Sequence, residues 1–149
     1  MQIEAILTPN RTLNQAVGGS KKRILETLAQ LIAEDQPGIQ AEDVFQSLIA
    51  RERLGSTGIG NGIAIPHCRF PTDGTTLGAL ITLQDPVDFD SIDSAPVDII
   101  FAMLVPQNTE ASHLQTLANL AEALQQEGYV EKLRSAESND ELYRRAIAL

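Results

Sequence analysis

The 149-residue chain is 43% hydrophobic and 21% charged, ordinary globular usage that argues against extended disorder and allows one domain, residues 1–149, with a real core. Twenty acidic residues against eleven basic ones leave a net charge of −9; this disfavours nucleic-acid binding and suits attraction to a basic patch on a partner protein. A single cysteine excludes an internal disulfide framework and suits a reducing cytoplasm.

In chain order, the opening "MQIEAILTPNR" has no basic region ahead of an apolar stretch, so no signal peptide is expected. Residues 20–34 predict an amphipathic helix with Ser20 as N-cap and Ile24, Leu25, Leu28, Leu31 and Ile32 on one face. The only basic cluster, Lys21-Lys22-Arg23, falls at its start. Pro37 and Gly38 break it, and a second helix is expected from Ala41 to Arg51, with Val44, Phe45, Leu48 and Ile49 turned inward. Gly55, Gly58, Gly60 and Gly62 make its continuation costly.

Three strand candidates follow: "GIAIPH" at 62–67, "TLGALITLQ" at 76–84 and "VDIIFAMLVP" at 97–106. The last two are apolar enough for burial on both faces, and the third is too short to cross a bilayer. A brief strand is possible at Val87 to Phe89. From Thr109 the period is helical again, with Leu114, Leu117, Ala118, Ala121 and Leu124 on one face and Gly128 expected as the C′ residue. "YVEKLRS" predicts a short helix, and "SNDELYRRAIAL" another, opened by a capping box of Ser138 with Glu141. Helices, then strands, then helices, with no linker or repeat, point to a single-domain α/β fold whose sheet is covered by helices.

Residues 55–70, "GSTGIGNGIAIPHCRF", spend much backbone freedom to deliver one histidine. A glycine-rich loop lets backbone approach a ligand closely and can aim N–H groups at an anion. Pro66 restricts the chain directly before His67. A histidine near a strand end is more often a structural hydrogen-bonding group, and tight turns alone would account for the glycines, but not for the histidine they deliver. Neutral imidazole is a usable nucleophile at cytoplasmic pH, so His67 is the candidate to accept and pass on a phosphoryl group. The added charge calls for arginine, whose planar fork binds phosphate oxygens without deprotonating; Arg51 and Arg53 stand just before the loop, where they could equally be helix C-terminal charges. Ser56 and Thr57 either donate hydroxyl hydrogen bonds to the same oxygens or merely close the turn. His113, the second histidine, falls near the start of the helix after Thr109, where the dipole favours a neutral ring and attracts anions; it could also just edge the core over Leu117 and Leu120.

Other chemistries fit less well. Cys68 follows His67 directly, but neighbours on an extended strand point to opposite faces and cannot easily share a proton, so the thiol is expected to be incidental. Two distant histidines and one cysteine do not make a zinc site. The loop lacks the Gly-Lys-Ser/Thr ending of a P-loop and the dinucleotide glycine spacing. No metal and no cofactor is expected.

"RERLGSTGIGNGIAIPH" from Arg51 to His67, with "DFDSIDSAPVDIIFAMLVP", "HLQTLANLA" and "SKKRILETLAQLIA", resembles the EIIA component of the phosphoenolpyruvate-dependent phosphotransferase system. The class is fructose/mannitol, and the likeness is greatest to its nitrogen-regulatory branch. The resemblance covers essentially the whole chain and implies an α/β sandwich around a mixed sheet. It implies that His67 is the phosphorylated nucleophile, that Arg51 steadies the phosphoryl group and that His113 is a supporting histidine. The implied donor is the histidine phosphocarrier HPr or its nitrogen-branch equivalent NPr. Implied recipients are regulatory targets such as a potassium transporter or sensor kinase, or an EIIB protein. The family commonly has glycine where this chain has Cys68.

Three functions are therefore weighed. A regulatory phosphocarrier leads, because an EIIA domain without a fused permease or EIIB segment suits signalling by phosphorylation state. A sugar-specific EIIA feeding an EIIB is second. A binding module that has lost the chemistry is third, and the presence of all three key residues counts against it.

Overall fold

The computed structural model describes residues 2–107 and 111–149, with the side chains of residues 111–113 outside the description. Among the described residues, six strands form one mixed sheet: β1 (Thr12–Ala16), β2 (Gly58–Gly60), β3 (Ile63–Ala64), β4 (His67–Arg69), β5 (Leu77–Val87) and β6 (Val97–Val105). The spatial order is β1-β5-β6-β3-β2, with β4 also paired to β6. β5 and β6 are antiparallel, β1 runs parallel to β5, β3 and β4 run parallel to β6, and β2 is antiparallel to β3.

Helices cover both faces, which is why β5 and β6 are apolar on both sides. α1 (Lys21–Asp35) and α2 (Ala41–Arg53) pack on one face with Ala79, Ile81, Ile100, Ala102 and Leu104 beneath them. On the other face α3 (Ala111–Ala123), α4 (Glu127–Arg134) and α5 (Asn139–Ile147) share a core with Leu80, Ile99, Phe101 and Met103. Ser20 caps α1 by accepting from Arg23 N at 3.1 Å. Ser138 caps α5, accepting from Glu141 N at 3.0 Å, while the Glu141 carboxylate reaches Glu137 N at 3.0 Å, one residue before the cap.

The α/β class, the two long strands and the five helices agree with the sequence reading; several details do not. β1 was unforeseen: its polar "TLNQA" exists as a strand because β5 offers it a parallel partner, and Gln15 N bonds the Thr82 hydroxyl at 2.9 Å. No separate strand forms at Val87–Phe89; β5 continues to Val87, which pairs with Val97, and Phe89 is instead fully buried in the α1/α2 core. α2 runs to Arg53 rather than Arg51.

Gly128 is not a helix terminator. α3 ends at Ala123 and Gly128 lies inside α4. The inward face of α3 also differs from the expected one. Leu120, Ala123 and Leu124 are buried, whereas Leu114 is 61% exposed and Ala118 is exposed. The glycine loop holds an unexpected hairpin, β2–β3, turned by Asn61-Gly62 with φ of 59° and 82°, the two left-handed residues of a type I′ turn.

Candidate functional site

The residues singled out around His67 meet where the sheet is interrupted. β3 pairs with β6 through Ile63 and Ala64, the chain breaks step at Ile65-Pro66, and pairing resumes when His67 comes opposite Met103. Met103 N still donates to Pro66 O at 2.9 Å, so the break is held against β6 although proline has no N–H to give. His67 Nδ1 lies 2.7 Å from the Ile65 carbonyl oxygen. A carbonyl only accepts, so in the neutral ring Nδ1 carries the proton and Nε2 the lone pair.

The histidine, half-buried, lines a depression of about 350 Å³. Arg51, Ser56 and Thr57 share its polar side. Ile59 and Ile65 with Leu114, Leu117, Ala118 and Ala121 make an apolar wall. Leu117 and Ala121 in this wall also pack against the core, whereas Leu114 and Ala118 are exposed on it.

Arg51 stands in the last turn of α2, and its Nη1 donates to Gly55 O at 2.9 Å, an exposed contact. Ser56 and Thr57 both have their hydroxyl protons engaged within the fold. Ser56 Oγ donates to Phe89 O at 2.6 Å and accepts from Gly58 N at 3.0 Å; Thr57 Oγ1 donates to Glu52 Oε1 at 2.6 Å. These bonds fit the turn-closing alternative for the two hydroxyls. Gly58 is needed for a different reason: a Cβ there would collide with the Ser91 hydroxyl.

His113 is the third residue of α3, in its first turn, and its side chain lies outside the described residues. Cys68 projects into the α1/α2 core while His67 lines the depression, and burial pushes its thiol pKa up to about 12. A protonated, inward thiol cannot pair with His67 as a nucleophilic dyad. Among the described residues no cluster of three or more His, Cys, Asp or Glu could hold a metal ion, and no helix is long and apolar enough to cross a membrane.

Glu52 escaped the sequence reading. It is 7% exposed, accepts from Thr57 N at 2.9 Å and pairs with Lys21 Nζ at 2.8 Å. Its signal was present in the sequence: Val44, Leu48 and Glu52 form one i, i+4 row, so a carboxylate stands where the helix turns inward.

The comparisons with known proteins give the class of domain to which this fold belongs. Residues 5–147 match the family model described as phosphoenolpyruvate-dependent sugar phosphotransferase system, EIIA 2. The chain belongs to this family. It is 47% identical over 143 residues to the nitrogen regulatory protein of Pseudomonas aeruginosa, covering 96% of this chain and 93% of that one. The crystal structure of nitrogen regulatory protein IIA-Ntr from Neisseria meningitidis superposes with a TM-score of 0.86 at 39% identity, covering 95% of each chain. The fold alone is shared with the IIA-mannitol component of Escherichia coli, solved in complex with phosphorylated IIB-mannitol, at a TM-score of 0.73 and 20% identity, over 94% of this chain and 96% of that one.

Proposed function

We propose that the protein is a phosphohistidine carrier that accepts phosphoryl on His67 from an HPr- or NPr-type donor and regulates partners according to its phosphorylation state. The observation that carries this reading is the 2.7 Å contact of His67 Nδ1 with Ile65 O, which gives Nε2 the lone pair. Nε2 attacks the phosphorus of the donor's phosphohistidine; the new N–P bond forms as the donor's N–P bond breaks, and the electron pair returns to the donor ring. His67 keeps its Nδ1 proton during the transfer, so the phosphorylated ring is formally an imidazolium bearing a phosphoryl group of about two negative charges, a net charge of about −1 until that proton leaves. Arg51 offsets that charge across the depression, and His113 supports the phosphoryl group from the start of α3. The apolar wall is the surface on which a donor docks.

The regulatory role rests on similarity to proteins named nitrogen regulatory. A second reading, transfer from His67 to an EIIB in sugar uptake, is favoured by the fold shared with IIA-mannitol in its complex with phosphorylated IIB-mannitol.

The test is intact mass after incubation with phosphoenolpyruvate, Enzyme I and either HPr or NPr, alongside His67→Ala. One acid-labile phosphoryl group, absent in the variant, is expected. Preference for NPr supports regulation; onward transfer to an EIIB supports sugar transport. No phosphoryl gain with either donor overturns the carrier reading.

A further inference from the structure

The Glu52 side chain, 3% exposed, pairs with that of Lys21, 22% exposed, next to Thr57 on the wall of the depression. The Glu52 side chain comes from the last turn of α2 and Lys21 from the first residue of α1. Lys21 Nζ also lies 3.3 Å from Phe89 O and 5.1 Å from the centre of the Phe89 ring, and Asp90 Oδ2 is 3.6 Å away. Glu52 Oε2 takes the Lys21 charge and the Thr57 N–H, while Oε1 takes the Thr57 hydroxyl. Both ends of the Thr57 peptide environment are therefore held: its nitrogen by Glu52, and its carbonyl oxygen by Ile65 N at 3.0 Å. Ile65 in turn presents the carbonyl that orients His67 Nδ1.

We infer that Glu52, neutralised by Lys21, is a positioning residue for His67, acting through Thr57 and the Ile65 peptide to fix the ring with Nε2 as the reactive nitrogen. A carboxylate suits this task because one group can accept two hydrogen bonds from a single residue and still satisfy an ammonium. An error of an ångström in a reacting atom's place can cost orders of magnitude in rate. The kinetic consequence rests on the phosphocarrier reading; the ring geometry does not.

The experiment compares wild type with Glu52→Gln in two measurements. Nitrogen-edited NMR of unphosphorylated protein, at a pH about two units above the ordinary histidine pKa, reads the His67 tautomer. Wild type is expected to hold the Nδ1–H form, and Glu52→Gln a mixture of both forms. Phosphoryl transfer is expected to lose about tenfold or more in kcat, with KM for the donor changed by no more than about twofold. Thr57→Val, which keeps the backbone bond, should shift both readouts less, and it serves as the test if Glu52→Gln does not fold. Asp35→Asn, a destabilising change elsewhere, should leave the tautomer untouched. A folded Glu52→Gln with a wild-type tautomer and rate overturns the inference, as does a wild-type result for Thr57→Val where Glu52→Gln does not fold, or an equal tautomer change in Asp35→Asn. If wild type takes up no phosphoryl group, the carrier reading falls, and the tautomer comparison still decides the role of Glu52.

Discussion

His67 Nδ1 sits 2.7 Å from the carbonyl oxygen of Ile65, two residues earlier in the chain. The contact exists because Ile65-Pro66 interrupts strand pairing and leaves that carbonyl facing the ring rather than a ladder partner. Phosphorylation is therefore expected on Nε2, and nitrogen and phosphorus NMR of the phosphorylated protein will show it. A phosphoryl group on Nδ1 would require this bond to break and would refute the assignment.

Arg51 contributes little to the resting fold, since the side-chain hydrogen bond it makes among the described residues, to Gly55 O, is exposed. Arg51→Lys should lower stability by no more than about 1 kcal/mol, the net worth of one hydrogen bond. The phosphoryl-transfer rate should fall by about 10- to 100-fold, because lysine cannot bind two phosphate oxygens through a planar fork. Thermal unfolding and transfer kinetics on one preparation separate the two effects; equal rates would remove Arg51 from the site.

Leu114 is 61% exposed on the wall of the depression. Leu114→Ser should change stability by less than about 0.5 kcal/mol, as surface substitutions do. It should raise KM for the donor by about 5- to 30-fold if the wall is where the donor docks, since a buried anchor contributes roughly 1–2 kcal/mol. An unchanged KM would place the docking surface elsewhere.

Burial raises two acids in the core. It pushes the Cys68 thiol from 9.0 to about 12, and the Tyr129 phenol, which donates to Ala146 O at 2.6 Å, from 10.0 to about 12. Both are protonated in the fold, so their contribution to stability is complete below the unfolded pKa values. It is lost as pH rises from about 9 toward 12. Denaturant unfolding should show that decline, and Tyr129→Phe should flatten it. At a pH about one unit below the ordinary thiol pKa, iodoacetamide should modify Cys68 only slowly in native protein and rapidly in denaturant. Cys68→Ser should leave phosphoryl transfer within about twofold, since the thiol faces away from His67.

Arg11 is 3% exposed, with its guanidinium spread over Gly78 O, Ile6 O and the Asp35 carboxylate. Burial works to raise the Asp35 pKa, but hydrogen bonds from Asn10 and Thr8 and the charge and hydrogen bond of Arg11 outweigh it and leave it lowered. The carboxylate therefore stabilises the fold above its unfolded pKa of 3.8, and that contribution fades as pH falls through the lower native value. Asp35→Asn, leaving Arg11 buried without its anion, should cost about 2–4 kcal/mol at neutral pH. Chemical denaturation across the acid range measures both, and an unchanged acid limb in Asp35→Asn would count against the pair.

Local chemistry made much of this protein readable in one dimension. The Ser20 and Ser138 caps, the inward stripe of α1, the doubly buried β5 and β6, and the loop that delivers His67 all depend on residues within a few positions of one another. So did two signals that went unread, Asn61-Gly62 as a hairpin turn and Glu52 in the inward row of α2. What needed the third dimension is what depends on a distant partner. β1 is a strand only because β5 accepts it, and Phe89 is core only because α1 and α2 close over it. The apolar residues of α3 divide between core and open surface by where the helix lands on the sheet: Leu120 and Leu124 inside, Leu114 and Ala118 facing His67. Periodicity marks an apolar face but carries no information about which part of it the rest of the chain will cover. The sequence by itself singled out His67 as the candidate histidine and the elements that carry it; the tertiary structure decided what surrounds its ring, because Ile65, whose carbonyl meets Nδ1, is tied to Thr57 and through it to Glu52 by hydrogen bonds that exist only in the folded chain.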